Sequence, residues 1–254
     1  MRDLLRRLGF ADDDARDLLA AEPAGAQQAL LEERRDELVA LMGTLDQRVD
    51  WPFDPGTPWL QAWTLLAALP DVRAHHAARG VPDDVSWASL RDLGRHAALD
   101  RRLHGSPGLR KGWWLQLHFR GLIYELGRLQ FELRGDHLSV HIPATGPLLS
   151  AACDASFAHA AEFFEHRIAM CTSWLLDPAL AAYLPADSNI VGFQRRFELV
   201  DEGNEADADV LEFVFHRLEA DLGELPQRTT LERALVGHMR AGGHWRSPTG
   251  RLAL

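Results

Sequence analysis

The side chains best suited to chemistry sit on two alternating segments. Between 129 and 133, Leu129, Phe131 and Leu133 alternate with Gln130 and Glu132, just after Arg128; beyond Arg134-Gly135-Asp136, Leu138, Val140 and Ile142 alternate with Ser139 and His141. A period of two predicts strands with one apolar and one polar face. So short a connection predicts antiparallel pairing, which puts Glu132 and His141 on adjoining strands of one polar face. A histidine titrates near neutral pH, and with a carboxylate beside it suits general acid and base work. The competing reading is a hydrogen bond that only shapes the sheet. A further alternation, Leu115, Leu117 and Phe119 against Gln116, His118 and Arg120, predicts another strand that adds its polar side chains to this face.

Ala144-Thr145-Gly146-Pro147-Leu148-Leu149 leads from the 138–142 strand toward a helix expected over about 151–166, with Ser150 placed to cap it. Free backbone N–H groups and the positive end of a helix dipole at 148–153 suit a phosphate or pyrophosphate. Cys171 and Ser173 share a face of an expected strand over 168–174. On the 151–166 helix, His159, Glu162 and His166 recur at i, i+3 and i+7, a spacing that in principle ligates a metal. With no HExxH-type pattern the three read as a solvated face, and no metal is expected.

These residues need a frame. Leu4, Leu5, Leu8, Ala15, Leu18 and Leu19 recur at helical spacing, Pro23-Ala24-Gly25 breaks the pattern, and a second helix is expected over about 27–45. Trp51-Pro52-Phe53-Asp54-Pro55-Gly56 reads as a rigid connector. A helical stretch over 59–78 contains Pro70, which is expected to kink or split it. A further helix is expected from Asp83 to about 104, and the period changes at Gly105-Ser106-Pro107-Gly108. The chain therefore reads as a helical region, 1–108, followed by an α+β region, 109–254. In the second region a helical turn is expected at 177–184, a hairpin of strands 196–200 and 210–215 around an acidic loop, a helix over 230–240 and an edge strand in the tail 244–254. The adjacent His75 and His76 read as surface, and Trp59, Trp63, Trp87, Trp113 and Trp114 as packing.

With 254 residues, 46% hydrophobic and 25% charged, the chain has material for a sizeable core. A net charge of −10 opposes the phosphate neutralisation that dominates binding to nucleic acid or an anionic membrane, so neither partner is expected. Apolar runs fall short of the roughly 18 residues a membrane span needs. Two cysteines outside any metal spacing suit a reducing compartment, and Met1-Arg2-Asp3-Leu4-Leu5-Arg6-Arg7 mixes both charge signs with no apolar leader, so a cytoplasmic location is expected.

The stretches Trp113-Trp114-Leu115-Gln116-Leu117-His118-Phe119-Arg120-Gly121, Leu126-Gly127-Arg128-Leu129-Gln130-Phe131-Glu132 and His141-Ile142-Pro143-Ala144-Thr145-Gly146-Pro147-Leu148 resemble one bacterial acyltransferase family. Its members join a helical N-acyltransferase N-terminal domain to a GNAT-like C-terminal domain. Val85-Ser86-Trp87, Arg91-Asp92-Leu93-Gly94-Arg95, Cys171-Thr172-Ser173-Trp174-Leu175-Leu176, Leu184-Pro185-Ala186-Asp187-Ser188-Asn189-Ile190 and Gln194-Arg195-Arg196-Phe197 are similar to it too, so the resemblance spans nearly the whole chain.

The resemblance implies a mostly antiparallel mixed sheet with flanking helices, opened between two central strands to admit acyl-CoA or acetyl-CoA. On that order Ile142 and Pro143 belong to the strand that pairs with pantetheine. Gly146, Leu148, Leu149 and Ser150 face the pyrophosphate, and Asn189 lies near pantetheine. The chain departs from the usual phosphate loop, Gln/Arg-x-x-Gly-x-Gly/Ala: only Gly146 survives, followed by Pro147, which has no N–H to give. Direct transfer needs a base for the acceptor, donors for the oxyanion and an acid for the departing thiolate. His141 or Glu132 is expected as the base and Ser173 as donor or proton relay. Cys171 as a nucleophile would instead give a ping-pong route, against the ordinary fate of a half-buried cysteine as packing. Tyr183 is nearer than Tyr124 to the position of the usual acid, and Arg120 and Arg128 could hold an acceptor carboxylate. The expected activity is transfer from acyl-CoA to a small amine or hydroxyl acceptor. A carrier-protein donor and a non-catalytic binding module are the competing readings.

Overall fold

The computed structural model describes residues 1–45 and 49–254. The chain divides into two compact units, Met1–Glu125 and Leu126–Leu254. The division lies well past the period change at 105–108, because the segment that follows that change is helical.

The first unit holds α1 (Arg2–Arg7), α2 (Asp12–Ala20), α3 (Ala26–Ala40), α4 (Leu60–Ala78), α5 (Asp83–Leu90), α6 (Asp92–His104) and α7 (Gly112–Phe119). Three aspartates open α2, where the positive helix end favours them. Pro70 does not split α4: it sits on the exposed side, while Leu65, Ala68, Leu69 and Val72 are buried around it, and packing carries the missing backbone bond. The helix expected from Asp83 to 104 is two helices that meet at Arg91. Gly94 explains why α6 needs a glycine there, since a Cβ would stand 2.1 Å from the carbonyl carbon of Gly9.

The segment 115–119, expected as a strand, is α7. Leu115, Gln116, His118 and Phe119 are all buried, while the apolar Trp113 and Leu117 lie on the more open side; with polar residues inside and apolar ones outside, the helix shows no 3.6-residue polar stripe, so chance alternation imitated a strand. Gln116, His118 and Arg120 are therefore not on a sheet face. Gln116 donates to the Val49 carbonyl at 3.1 Å, and the buried Arg120 guanidinium donates to the carbonyls of Leu41 and Thr44. His76, read as surface, is fully buried, and Trp113, read as packing, is 51% exposed.

β1 (Ile123–Leu126), absent from the sequence reading, spans the junction. The second unit continues with β2 (Leu129–Arg134), β3 (His137–His141), α8 (Ser150–Phe164), β4 (Ile168–Thr172), α9 (Asn189–Gln194), β5 (Glu198–Leu199), β6 (Asn204–Glu205), α10 (Asp207–Val210), α11 (Thr230–Arg240), β7 (Arg246–Ser247) and β8 (Thr249–Ala253). Its sheet runs β2-β3-β4-β8-β5. Only the β3–β4 pair is parallel, as its long crossover through α8 requires. The tail is not an edge strand, because β8 lies between β4 and β5, while β7 pairs with β6 in a separate ribbon. Residues 210–215 form no strand: α10 runs on through a wide helical turn, Leu211–Phe215. Val210, Leu211, Val214 and Phe215 thereby face the core around Trp174, Leu235 and Trp245. Phe131, Phe157, Phe193 and Phe197 close the other side, with Phe157 in ring contact with each of the others.

Candidate functional site

β3 and β4 pair only at Leu138↔Ala169 and Ser139↔Met170. Beyond that point β3 stays with β2 as far as Gln130↔His141, and β4 stays with β8 as far as Thr172↔Thr249. Two parallel strands that stop pairing while each keeps its outer neighbour open a gap in the sheet. The C-terminal ends of both strands lie there, with the loop 142–149 running from β3 into α8.

α8 begins in extended backbone at Leu149 (φ −59°, ψ 133°), and no side chain caps it. Ser150, expected as the cap, is the first helical residue. Its hydroxyl accepts from Arg196 Nη2 at 2.6 Å instead. The first-turn amides and the positive helix end thus face outward without a protein cap. Arg196 also binds the Asp154 carboxylate at 2.8 Å, which offsets its charge.

Arg128, expected to hold an acceptor carboxylate, is committed elsewhere. Its guanidinium donates to the carbonyls of Pro143 (2.9 Å), Gly146 (2.5 Å) and Pro147 (3.0 Å), and its backbone N–H donates to Ser156 Oγ at 2.7 Å. Nothing in the spacing of the chain points Arg128 at this loop.

Glu132 and His141 do meet. Register sets Glu132 opposite Ser139 and His141 opposite Gln130, two residues apart on one face, and His141 Nε2 lies 3.0 Å from Glu132 Oε2. Arg134 Nε takes the other carboxylate oxygen at 2.8 Å. Burial works against the Glu132 charge, yet the hydrogen bonds and charges of His141 and Arg134 hold its carboxyl below the usual carboxylate range. The Glu132 side chain is 2% exposed and that of His141 25%, so the histidine faces the open side and the carboxylate stands behind it.

Cys171 is fully buried, and burial pushes its thiol up to about 12, so it is a neutral core group. Ser173 is half-buried just past β4, where its hydroxyl accepts from Leu175 N–H at 3.2 Å and caps a short helical turn. Asn189 is exposed as the first residue of α9. Ile142 and Pro143 are half-buried, Leu148 is buried, and Gly146 and Leu149 are exposed along the loop. Tyr183 is 43% exposed, with its hydroxyl 3.1 Å from His238 Nδ1, and Tyr124 is buried in the first unit, which pushes its phenol up to about 12. His159, Glu162 and His166 do not share a helix face: α8 stops at Phe164, Glu165 turns left-handed, and His166 bonds to the carbonyls of Phe164 and Gly135. Among the described residues, no helix is long and apolar enough to cross a membrane.

Two family models match the chain: the N-acyltransferase N-terminal domain over residues 1–121 and the GNAT-like C-terminal domain over residues 123–252. No curated protein matches it. Three solved structures align along all of it, each 40% identical with 87% of its own chain covered. They are an acyltransferase in complex with decanoyl-CoA and teicoplanin (TM-score 0.95), one in complex with CoA and 10C-teicoplanin (0.94) and one in complex with decanoyl-CoA (0.94). The expected α+β fold, a helical N-terminal domain before a GNAT-like domain, therefore holds. The chain belongs to the acyltransferases that join an N-acyltransferase N-terminal domain to a GNAT-like C-terminal domain, and it is an acyl-CoA-dependent enzyme of that family.

Proposed function

We propose that the gap between β3 and β4 receives the thioester arm of a medium-chain acyl-CoA, and that the acyl group passes directly to an amine of a glycopeptide-like acceptor. The observation that carries this reading is the end of β3–β4 pairing after Ser139↔Met170, at the same end of the sheet as the uncapped start of α8. In this reading the backbone at Ile142 and Pro143 pairs with pantetheine, and Gly146, Leu148, Leu149 and Ser150 surround the diphosphate. The choice of donor and acceptor rests on the decanoyl-CoA and teicoplanin held by the similar structures.

His141 is the base. Glu132 accepts the Nε2 proton, which sets the ring tautomer and puts the lone pair on Nδ1. The acceptor nitrogen attacks the thioester carbon and loses its proton to Nδ1. The C–N bond forms, the C–S bond breaks, the thiolate takes a proton from solvent and leaves as free CoA, and the His141 imidazolium returns its proton to solvent. Ser173 stands at the end of β4 as a hydroxyl for the departing sulfur. Glu132 is a positioning residue, and Cys171 takes no covalent part, because a buried neutral thiol is a poor nucleophile.

Release of free CoA from decanoyl-CoA or acetyl-CoA, measured with teicoplanin-type amines as acceptors, tests the reading. Turnover that prefers decanoyl-CoA and depends on the acceptor amine supports it. Binding of CoA without turnover on any amine supports a sensing module. Turnover only from an acylated carrier protein moves the donor from CoA to that protein.

A further inference from the structure

We infer that Arg128 is a positioning residue for the nucleotide end of the donor: it shapes the loop 143–148 so that the loop's amides face the diphosphate. The inference rests on the donor site proposed above.

Arg128 is fixed at both ends. At its root, Gly127 turns the chain with φ 79°, and a Cβ there would stand 2.9 Å from Ser156 Oγ. The Arg128 N–H donates to that same oxygen, which in turn donates to the Ala152 carbonyl at 3.0 Å within α8. At its tip the guanidinium, a planar fork of donors with no acceptor, gathers three carbonyls of the loop that enters α8. Turn, loop and helix start are thereby tied together by one side chain.

Gathering those carbonyls aims the amides. In a trans peptide the C=O and N–H point in opposite directions, and no cis bond occurs among the described residues. The peptides that send the Pro143 and Pro147 carbonyls to Arg128 therefore send the N–H groups of Ala144 and Leu148 away from it. The Gly146 carbonyl reaches the guanidinium with φ at 139°, a conformation that favours glycine. Its peptide continues into Pro147, which has no N–H to aim. Thr145 N–H is spent on the Pro143 carbonyl at 2.8 Å, which leaves the amides of Ala144 and Leu148, with those of the first turn of α8, as an electropositive rim for an anion. Arg196 at the same helix start does not duplicate this role, since its guanidinium is paired with Asp154.

The test compares binding of decanoyl-CoA with binding of decanoyl-pantetheine, which carries the same thioester and no diphosphate, by calorimetry. The wild type is expected to bind the CoA thioester more tightly; no preference there overturns the donor site itself. In Arg128→Gln the Kd ratio between the two donors is expected to fall about tenfold, because the loss falls on the diphosphate end. Arg128→Lys is expected to resemble Arg128→Gln, since an ammonium cannot gather three carbonyls. Gly146→Ala, which strains the φ of 139°, is expected to lower the same ratio without touching any charge, and it carries the test if Arg128→Gln fails to fold. An unchanged ratio, whether both donors weaken together or neither does, overturns the inference. Full recovery in Arg128→Lys overturns it as well, because charge alone would then be enough.

Discussion

Asp92 in the first unit and Glu132 in the second are both buried carboxylates that hold histidine, and they differ in what can reach that histidine. Asp92 gathers His96 at 3.3 Å, His118 at 3.4 Å, Arg95 at 3.4 Å and the Trp114 ring N–H at 3.2 Å, with His118 fully buried. Glu132 holds His141 and Arg134, and a quarter of the His141 side chain is open. Burial opposes both charges, and in both the hydrogen-bonded and ion-paired neighbours win and hold the carboxyl below its ordinary range, in Asp92 far below it. The electrostatics are alike. Access to the imidazole separates a hub that ties helices together from a pair open enough for the proton exchange proposed for it. His76 makes the same point: its Nδ1 lies 2.6 Å from Ser86 Oγ, which looks like a base and its nucleophile, yet both are fully buried.

The largest effect is expected from removing the structural hub. Asp92→Ala leaves Arg95, His96 and His118 facing one another without their anion, and should lower unfolding free energy by about 3–5 kcal/mol, the usual cost of breaking a buried ion pair. Chemical denaturation measures it, and a loss under 1 kcal/mol would put Asp92 on a par with an exposed ion pair. Next comes acid. Burial, then the positive neighbours His75, Arg73 and Arg79, lower His76 from its ordinary 6.5 to about 4. The unfolded chain therefore takes up a proton below pH 6.5 that the folded protein refuses until about pH 4. Stability falls across that window by about 3 kcal/mol and levels off below it. Denaturation at pH 7 and pH 4, repeated on His76→Gln, isolates this share: the variant should show a correspondingly shallower pH dependence.

This contrast also shows where the sequence was legible. The Glu132–His141 pair follows from two clean alternations and a short turn, since period two fixes the face and the turn fixes the register. α11 announces itself through an apolar stripe and the capping box of Thr229 and Glu232. The loop into α8 follows the strand as the spacing implies, although the cap shifts by one residue, because Leu149 stays extended and Ser150 enters the helix. Pattern failed where burial is two-sided or partners are distant. α7 buries polar Gln116 and His118 and leaves Trp113 outside, which hides its period, β8 reaches the middle of the sheet from the far end of the chain, and Arg128 meets its loop 15 to 19 residues on. Contacts of that kind belong to the tertiary fold and leave no local spacing to read.

In the second unit the predictions turn from stability to rate. His141→Ala should lower kcat about a hundredfold, within the range for losing a positioned base, while thermal unfolding stays within a few degrees of the wild type. An unfolding shift as large as that of Asp92→Ala, with the rate preserved, would make the two histidine sites equivalent and erase the distinction drawn between them.

Glu132→Gln gives the smallest expected effect and probes that distinction most sharply. A glutamine carbonyl can still accept the Nε2 proton of His141, so the ring keeps its tautomer and orientation, while the anion that steadies the imidazolium formed during transfer is gone. The loss should therefore be about tenfold in kcat, with decanoyl-CoA binding unchanged, because neither Glu132 nor His141 belongs to the proposed diphosphate rim. Arg134, which pairs with the same carboxylate, loses its partner too and is 40% exposed, so water can solvate it and the stability cost should stay small. A drop confined to donor affinity would move Glu132 from the proton path to the binding of acyl-CoA, and a rate loss as deep as that of His141→Ala would make the carboxylate an equal partner in the proton transfer.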